Sequence, residues 1–259
     1  METAEFLEIL DREGRLLAAA AEEAGLDAPV PACPDWQVRD LLRHTGVIHR
    51  WAAGVVADAE TSPRAIPDPP DIDGTELTAW YREGHRRLVD TLGGAPQDMT
   101  CWTFHPAPVS SPLAFWLRRQ AHETTVHRYD AEAARGGPAS PVGTDFAVDG
   151  IDELLRGFHA RARSRVRSEH PRVLRVRTVD ADGAWTVRLS TRPPVTELGA
   201  PHGGTPHGGT PYDGAPYGSA AELSGPADQL YLALWNRVPV PTVTGDPEVA
   251  GLWLTNSGI

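Results

Sequence analysis

Glu123 and His127 are the two side chains whose spacing points most directly to chemistry. They lie four residues apart in Pro112–Arg135, a segment that the sequence predicts to be a helix. Residues at that spacing are neighbours on one side of a helix. A carboxylate and an imidazole so placed can bind one metal ion together. They can equally form a buried, hydrogen-bonded pair without a metal, and the spacing permits both.

The same helix contains a His-Glu-x-x-x-His string that differs from the motif of zinc proteases. His122 and His127 are five residues apart, which places them about 140° apart around a helix rather than on one face. With Trp116 and Thr124 on the inward face, helical geometry puts Arg119 and His122 largely on the outward side. We therefore exclude the zinc-protease arrangement.

A third metal ligand could come from the second predicted helix, which follows an N-cap at Asp35 and ends near Ala59. His44 and His49 flank the apolar face of that helix on opposite sides, each about 60–80° from its centre. Periodicity does not choose between them. Either histidine would complete a His/Glu/His set with one open position, which suits zinc or another divalent ion.

Helices in the first half of the chain must position these residues. Thr3–Ala24 is amphipathic and ends at Gly25, Thr75–Leu92 follows a proline-rich loop, and Pro112–Arg135 is stopped by two glycines. Together with the helix that carries the two histidines, they predict an antiparallel four-helix bundle. A fifth helix, residues 149–166, would lead out of it.

Alternating apolar and polar residues in the second half indicate strands. The alternation runs from Leu174 to Thr178 and resumes from Trp185 to Leu189 after a turn, which predicts a hairpin. A late helix at 225–236 follows. The prediction is an α+β protein, with a helical bundle at residues 1–165 and a small C-terminal α+β domain at 166–259. Within the latter, the Pro/Gly-rich repeat at 199–218 cannot build a core and is expected to be an exposed inserted loop.

Composition excludes several classes of function. The 259 residues include 24 basic side chains, all arginine, and 35 acidic ones, for a formal net charge of −11. This balance disfavours nucleic acid or an anionic membrane as the main partner. No apolar run approaches the roughly 20 residues that span a bilayer, and Cys33 and Cys101 are too few for a disulfide framework. A cytoplasmic monomer or homodimer acting on a small molecule is expected.

Three segments, in this order, resemble the mycothiol-dependent maleylpyruvate isomerase family. They are Cys33–His44 (CPDWQVRDLLRH), Arg119–Asp130 (RQAHETTVHRYD) and Ser224–Arg237 (SGPADQLYLALWNR), the last followed by Thr244-Gly-Asp246. The resemblance covers nearly the whole chain apart from the Pro/Gly repeat. It implies a DinB-like four-helix bundle joined to a smaller C-terminal α/β domain.

The resemblance also implies a ligand set. His44 follows Trp36 by eight residues, as the family's first ligand does, so the implied metal ligands are His44, Glu123 and His127. His49 then becomes a residue behind the ligands or in the cofactor pocket.

Two further residues acquire roles beside the implied ligands. Asp130 lies on the same side of its helix as Glu123 and could orient a ligand. Arg237 matches a family arginine that is thought to contact the anionic substrate or the thiol cofactor. An ordinary helix-end arginine that interacts with the helix dipole is the alternative for Arg237.

The chemistry implied by the resemblance is metal-assisted thiol addition. A divalent ion, with zinc expected, would hold mycothiol or a similar small thiol as a thiolate, which adds to an electrophilic small molecule. Rotation and elimination then give isomerisation. Retention of the adduct would instead give a mycothiol S-transferase of detoxification or natural-product biosynthesis, and a non-catalytic small-molecule-binding module is the remaining alternative.

Overall fold

The computed structural model describes residues 1–199 and 220–258. The chain divides into two compact units, Met1–Ser140 and Pro141–Ile259. This division falls before the boundary predicted near residue 165, because the fifth helix packs on a helix of the second unit. Apart from Gly199, the predicted inserted loop at 199–218 lies outside the described residues.

Four helices make up the first unit, every residue of which is described: α1 (Thr3–Ala24), α2 (Val38–Ala57), α3 (Gly74–Gly94) and α4 (Pro112–Arg135). This order confirms the predicted four helices. The end of α1 and the start of α4 are determined by residues at those positions. The helix α1 ends at Gly25, whose φ of 83° is accessible to glycine. The helix α4 begins after Ser111, whose hydroxyl accepts a hydrogen bond from the Ala114 N–H.

The start of α2 differs from the prediction, because Asp35 is not its N-cap. The chain first makes a turn in which the Trp36 N–H donates to the Cys33 carbonyl at 2.8 Å. The helix then begins after Gln37 with a capping box. In it, the Gln37 side chain accepts from the backbone of Asp40, and the Asp40 carboxylate accepts from the Gln37 N–H at 3.0 Å.

A buried ionic cluster joins α4 to α1 in the first unit. Arg128 has no exposed surface and donates to Glu13 and to the Ser140 carbonyl, both at 2.8 Å, and to Glu132 at 2.5 Å. Burial by itself would lower the pKa of Arg128, but the charges and hydrogen bonds of the two glutamates outweigh this effect and raise it. The guanidinium is therefore held charged in the interior.

The second unit contains a mixed sheet. Its five strands in the described ranges are β1 (Arg172–Thr178), β2 (Ala184–Leu189), β3 (Val195–Leu198), β4 (Ala220–Gly225) and β5 (Thr242–Gly245), in the order β3-β2-β1-β4-β5. The strands β1 and β2 form the predicted antiparallel hairpin, with Val176 opposite Trp185, whereas β4 runs parallel to β1. The predicted α+β class is confirmed.

In the described part of the second unit, three helices accompany this sheet. They are α5 (Thr144–Asp152), which continues into a π-helical turn at Glu153–Phe158, α6 (Ala227–Leu234) and α7 (Pro247–Asn256). The fifth helix begins before the predicted residue 149 and also ends before the predicted residue 166. It ends early because the chain beyond Phe158 forms turns, such as the one closed by a hydrogen bond from the Ser164 N–H to the Arg161 carbonyl. The helix α6 is shorter than predicted because Gly225 belongs to β4. Within the described ranges, no helix is long and apolar enough to cross a membrane.

His159 is expected to make the stability of the second unit depend on pH. It is 3% exposed, and its ring lies 4.7 Å from that of Trp253. Burial, with a smaller effect from Arg161, lowers the pKa of His159 from 6.5 to about 4. Below pH 6.5 the unfolded chain therefore takes up a proton that the folded protein excludes. We expect His159 to lower the free energy of unfolding by about 2 kcal/mol as the pH falls from about 7 to about 5.

Urea unfolding of the His159→Gln variant at several pH values measures this contribution. The variant should lose less stability than the wild type on acidification, by the amount expected for His159. His170→Gln, which changes an exposed histidine, should keep the wild-type dependence. An equal pH dependence in wild type and His159→Gln would contradict the prediction.

Candidate metal centre

Three predicted ligands from two helices meet inside the first unit. His44 lies on α2, and Glu123 and His127 lie one turn apart on α4. One nitrogen of each imidazole and one carboxylate oxygen lie within 4.8 Å of one another. Glu123 Oε1 is 3.2 Å from His127 Nε2 and 3.4 Å from His44 Nε2. The helical spacing and the packing of α2 on α4 together bring the three donors to one point.

The two separations from Glu123 Oε1, 3.2 and 3.4 Å, match those expected around a tetrahedral metal ion. Bonds of about 2.0–2.2 Å at tetrahedral angles separate the donor atoms by about 3.3 Å. Two imidazole nitrogens and one carboxylate oxygen are typical of catalytic zinc, with the fourth position taken by an exogenous ligand. The side chain of His44 is 36% exposed, which leaves one side of the set open. Without a metal, the same carboxylate is hydrogen-bonded to both imidazoles.

Hydrogen bonds and charges within the set shift the pKa values of Glu123 and His127. Burial by itself would raise the pKa of Glu123, but hydrogen bonds from His127 and His44, with smaller effects of the charges of His127 and Arg119, keep it well below its usual range. Burial would likewise lower the pKa of His127, but Asp130 and Glu123 outweigh it and raise the pKa to about 9. At neutral pH a metal ion must therefore displace a proton from His127.

Asp130 and Trp36 fix the orientation of the two imidazoles. Asp130 has no exposed surface, and its Oδ2 lies 2.9 Å from His127 Nδ1. A carboxylate on the far ring nitrogen is a common partner of a metal-binding histidine. The Trp36 ring packs against His44 at a centroid distance of 5.0 Å and against His127 at 6.3 Å. Sequence analysis did not assign Trp36 to the site, and only its place just before α2 hinted at such a contact.

His49 lies in the interior behind the ligands. It has no exposed surface, and its Nε2 is 2.9 Å from Thr124 Oγ1. Its ring centroid lies 5.6 Å from that of His85. Burial first, and then the proximity of His85, lowers the pKa of His49 well below its usual value. Of the two histidines on α2, His44 is therefore the one that joins the cluster.

Arg119 and His122 are buried, contrary to the outward placement predicted from helical geometry. The helix α4 packs on α1, α2 and α3, so most of its circumference is covered and a single inward face does not describe it. Arg119 Nη2 donates to Glu123 Oε2 at 3.0 Å. The i,i+4 spacing of these two residues was the available signal for the pair.

Arg237 lies in the second unit, just beyond α6. Its backbone N–H donates to the Leu232 carbonyl at 2.9 Å, and its Nη1 donates to the Trp235 carbonyl at 2.7 Å. These bonds satisfy carbonyls at the end of α6, as expected of a helix-end arginine. A role of Arg237 toward substrate or cofactor stays a prediction.

Comparison with protein families decides the assignment. Residues 7–132 match the mycothiol maleylpyruvate isomerase N-terminal domain, and residues 145–252 match the corresponding C-terminal domain. The chain belongs to the mycothiol-dependent maleylpyruvate isomerase family. The resemblance found in the three sequence segments is thereby confirmed.

One solved structure shows how widely this fold tolerates sequence change. The crystal structure of a histidine-to-alanine mutant of the mycothiol-dependent maleylpyruvate isomerase superposes with a TM-score of 0.61. The match covers 95% of this chain and 94% of that chain at 10% sequence identity. At this identity the likeness shows the fold alone. No curated protein sequence matches the chain.

Proposed function

We propose that this chain is a metal- and mycothiol-dependent enzyme that adds a thiol to an electrophilic small molecule and thereby isomerises it. The observation that carries the proposal is the convergence of His44, Glu123 and His127, whose donor atoms lie within 4.8 Å of one another. Membership of the family supports mycothiol as the thiol. The family model, that of a maleylpyruvate isomerase, supports isomerisation as the type of reaction.

Each residue of the site has a proposed role in metal binding. His44, Glu123 and His127 would hold a divalent ion, with zinc expected, and such an ion lowers the pKa of a thiol bound to it. Asp130 accepts the far ring N–H of His127 and thus keeps its Nε2 aimed at the set. Trp36 packs against both imidazole rings and would limit the access of water from that side.

The two other predicted cofactor residues are proposed to act differently from each other. His49 is buried, and its Nε2 lies 2.9 Å from the hydroxyl of Thr124, the residue after Glu123. We propose that it helps to hold α2 against α4 and is not a metal ligand. Arg237 is proposed to contact an anionic group of substrate or cofactor, which rests on its match to the family's arginine.

Replacing Arg237 with alanine should weaken thiol or substrate binding without loss of metal. A charge-assisted hydrogen bond to an anion corresponds to about tenfold or more in affinity. Equilibrium binding of mycothiol and the kinetics of the zinc-loaded variant measure this effect, and Arg192→Ala, at an exposed arginine, is the control. Unchanged binding and kinetics in Arg237→Ala would remove this residue from the site.

The proposed activity is tested by incubating zinc-loaded protein with mycothiol and maleylpyruvate. The expected product is an isomer of unchanged mass, formed only when both the metal and the thiol are present. A stable product that carries the added mass of the thiol would show an S-transferase instead. A metal-loaded protein that binds these molecules and forms no product would be a binding module.

A further inference from the structure

The two oxygens of Glu123 face different groups. Oε1 lies 3.2 Å from His127 Nε2 and 3.4 Å from His44 Nε2. Oε2 accepts a hydrogen bond from Arg119 Nη2 at 3.0 Å. The side chain of Arg119 is 2% exposed, against 18% for that of Glu123. One oxygen is thus directed at the candidate site and the other at a buried cation.

Local geometry holds this arrangement in place. Arg119 and Glu123 lie one turn apart on α4, and a buried guanidinium is a planar, rigid group with fixed donor directions. A carboxylate can bind a metal through one oxygen or through both. Binding through both would make Oε2 share its lone pairs between the ion and Arg119, so the charge-assisted hydrogen bond from the buried guanidinium disfavours it.

Arg119 also places a positive charge beside the candidate site. Glu123 and Asp130 each have a carboxylate oxygen near a ring nitrogen of His127, and Arg119 pairs with Glu123. The charge of a divalent ion held there would add to that of the guanidinium, and the two together favour an anionic fourth ligand. Replacing Arg119 with a neutral residue would remove one positive charge close to the ion.

We propose that Arg119 is a positioning residue that restricts Glu123 to one-oxygen coordination. It thereby keeps the fourth position of a bound ion open, and positive enough to favour a thiolate there. This inference rests on the proposed function, since it presupposes a divalent ion held by the His44, Glu123 and His127 set.

Cobalt(II)-loaded protein tests this role directly, because the visible absorption of cobalt is stronger in four-coordinate than in five- or six-coordinate sites. In Arg119→Met, Glu123 is free to bind through both oxygens. We expect wild-type metal content with weaker visible absorption. The affinity for mycothiol, followed by the thiolate-to-cobalt absorption band, should fall by about tenfold or more.

Two variants sharpen the test. Arg119→Lys keeps the charge without the rigid fork, so its spectrum and mycothiol affinity should fall between those of wild type and Arg119→Met. It also decides the question if the methionine variant does not fold. Arg128→Lys changes the other buried arginine of α4, which pairs with Glu13 and Glu132. It should lower the melting temperature and leave the cobalt spectrum and mycothiol affinity at wild-type values.

The outcomes separate the positioning role from the proposed function. Wild-type spectra and mycothiol affinity in both Arg119 variants would overturn the role of Arg119 and leave the proposed function standing. Loss of metal from both variants would show a merely structural role and would also overturn it. A wild-type protein that takes up no cobalt would overturn the proposed function, and this inference with it.

Discussion

Replacing His127 with alanine is expected to abolish stoichiometric metal binding while the first unit stays folded. The variant loses one of three protein donors and the imidazole that Asp130 orients. Loss of a ligand should weaken metal affinity by at least about 100-fold, since loss of an outer partner of a ligand alone costs 10–100-fold. The fold should persist because the bundle has its own apolar core. Elemental analysis after dialysis gives the metal content, and circular dichroism reports the fold.

His44→Ala should behave in the same way, because His44 supplies the donor from the other helix. His49→Gln is the matched control: it changes a histidine of α2 whose hydrogen-bond partner is Thr124 and not the ligand set. This control should keep the metal. Metal retained by His127→Ala would contradict the ligand set, whereas unfolding of both alanine variants would show that the cluster is structural.

Replacing Glu13 with alanine should strongly destabilise the first unit. Glu13 accepts a hydrogen bond from Arg128 at 2.8 Å, and both side chains are almost fully buried. Removing one partner of a buried ion pair leaves an incompletely compensated charge and costs about 3–5 kcal/mol. Urea unfolding gives the change in the free energy of unfolding.

Asp11→Ala is the control for this prediction. It removes the ion pair that Asp11 forms with Arg15, one helical turn further along α1. Both side chains of this pair are exposed to solvent, and exposed pairs contribute about 0–1 kcal/mol to stability. The metal content of Glu13→Ala should stay at one equivalent, because neither Glu13 nor Arg128 touches the ligand set. Similar stabilities of Glu13→Ala and Asp11→Ala would mean that the buried cluster contributes little.

The parts of the fold that could be predicted were those that neighbouring residues determine. The ends of α1 and α4 follow from Gly25 and from Ser111-Pro112, and the β1–β2 hairpin follows from alternation around a turn. The cap of α2 was missed because a tight turn at residues 33–36 takes Asp35 out of position. The strands β3 and β5 are four residues long and largely exposed, so they carry almost no apolar pattern.

The ligands that share one helix could be predicted from the sequence, whereas the contacts between different helices could not. The spacing of Glu123 and His127 placed two donors on one side of α4, since that is a property of one helix. The choice of His44 over His49 depends on how α2 packs against α4, which periodicity does not determine and the family resemblance supplied. Helical geometry predicts an outward Arg119 only for a helix with one buried side, whereas three helices pack against α4.

Titration of cobalt-loaded wild-type protein with mycothiol tests most directly whether the His44, Glu123 and His127 set binds a metal that in turn binds a thiol. We expect uptake of one cobalt per chain and a thiolate-to-cobalt absorption band that saturates at one thiol per metal. His44→Ala should show neither. A wild-type protein that binds no metal, or a loaded protein that gives no thiolate band, would contradict the proposed site.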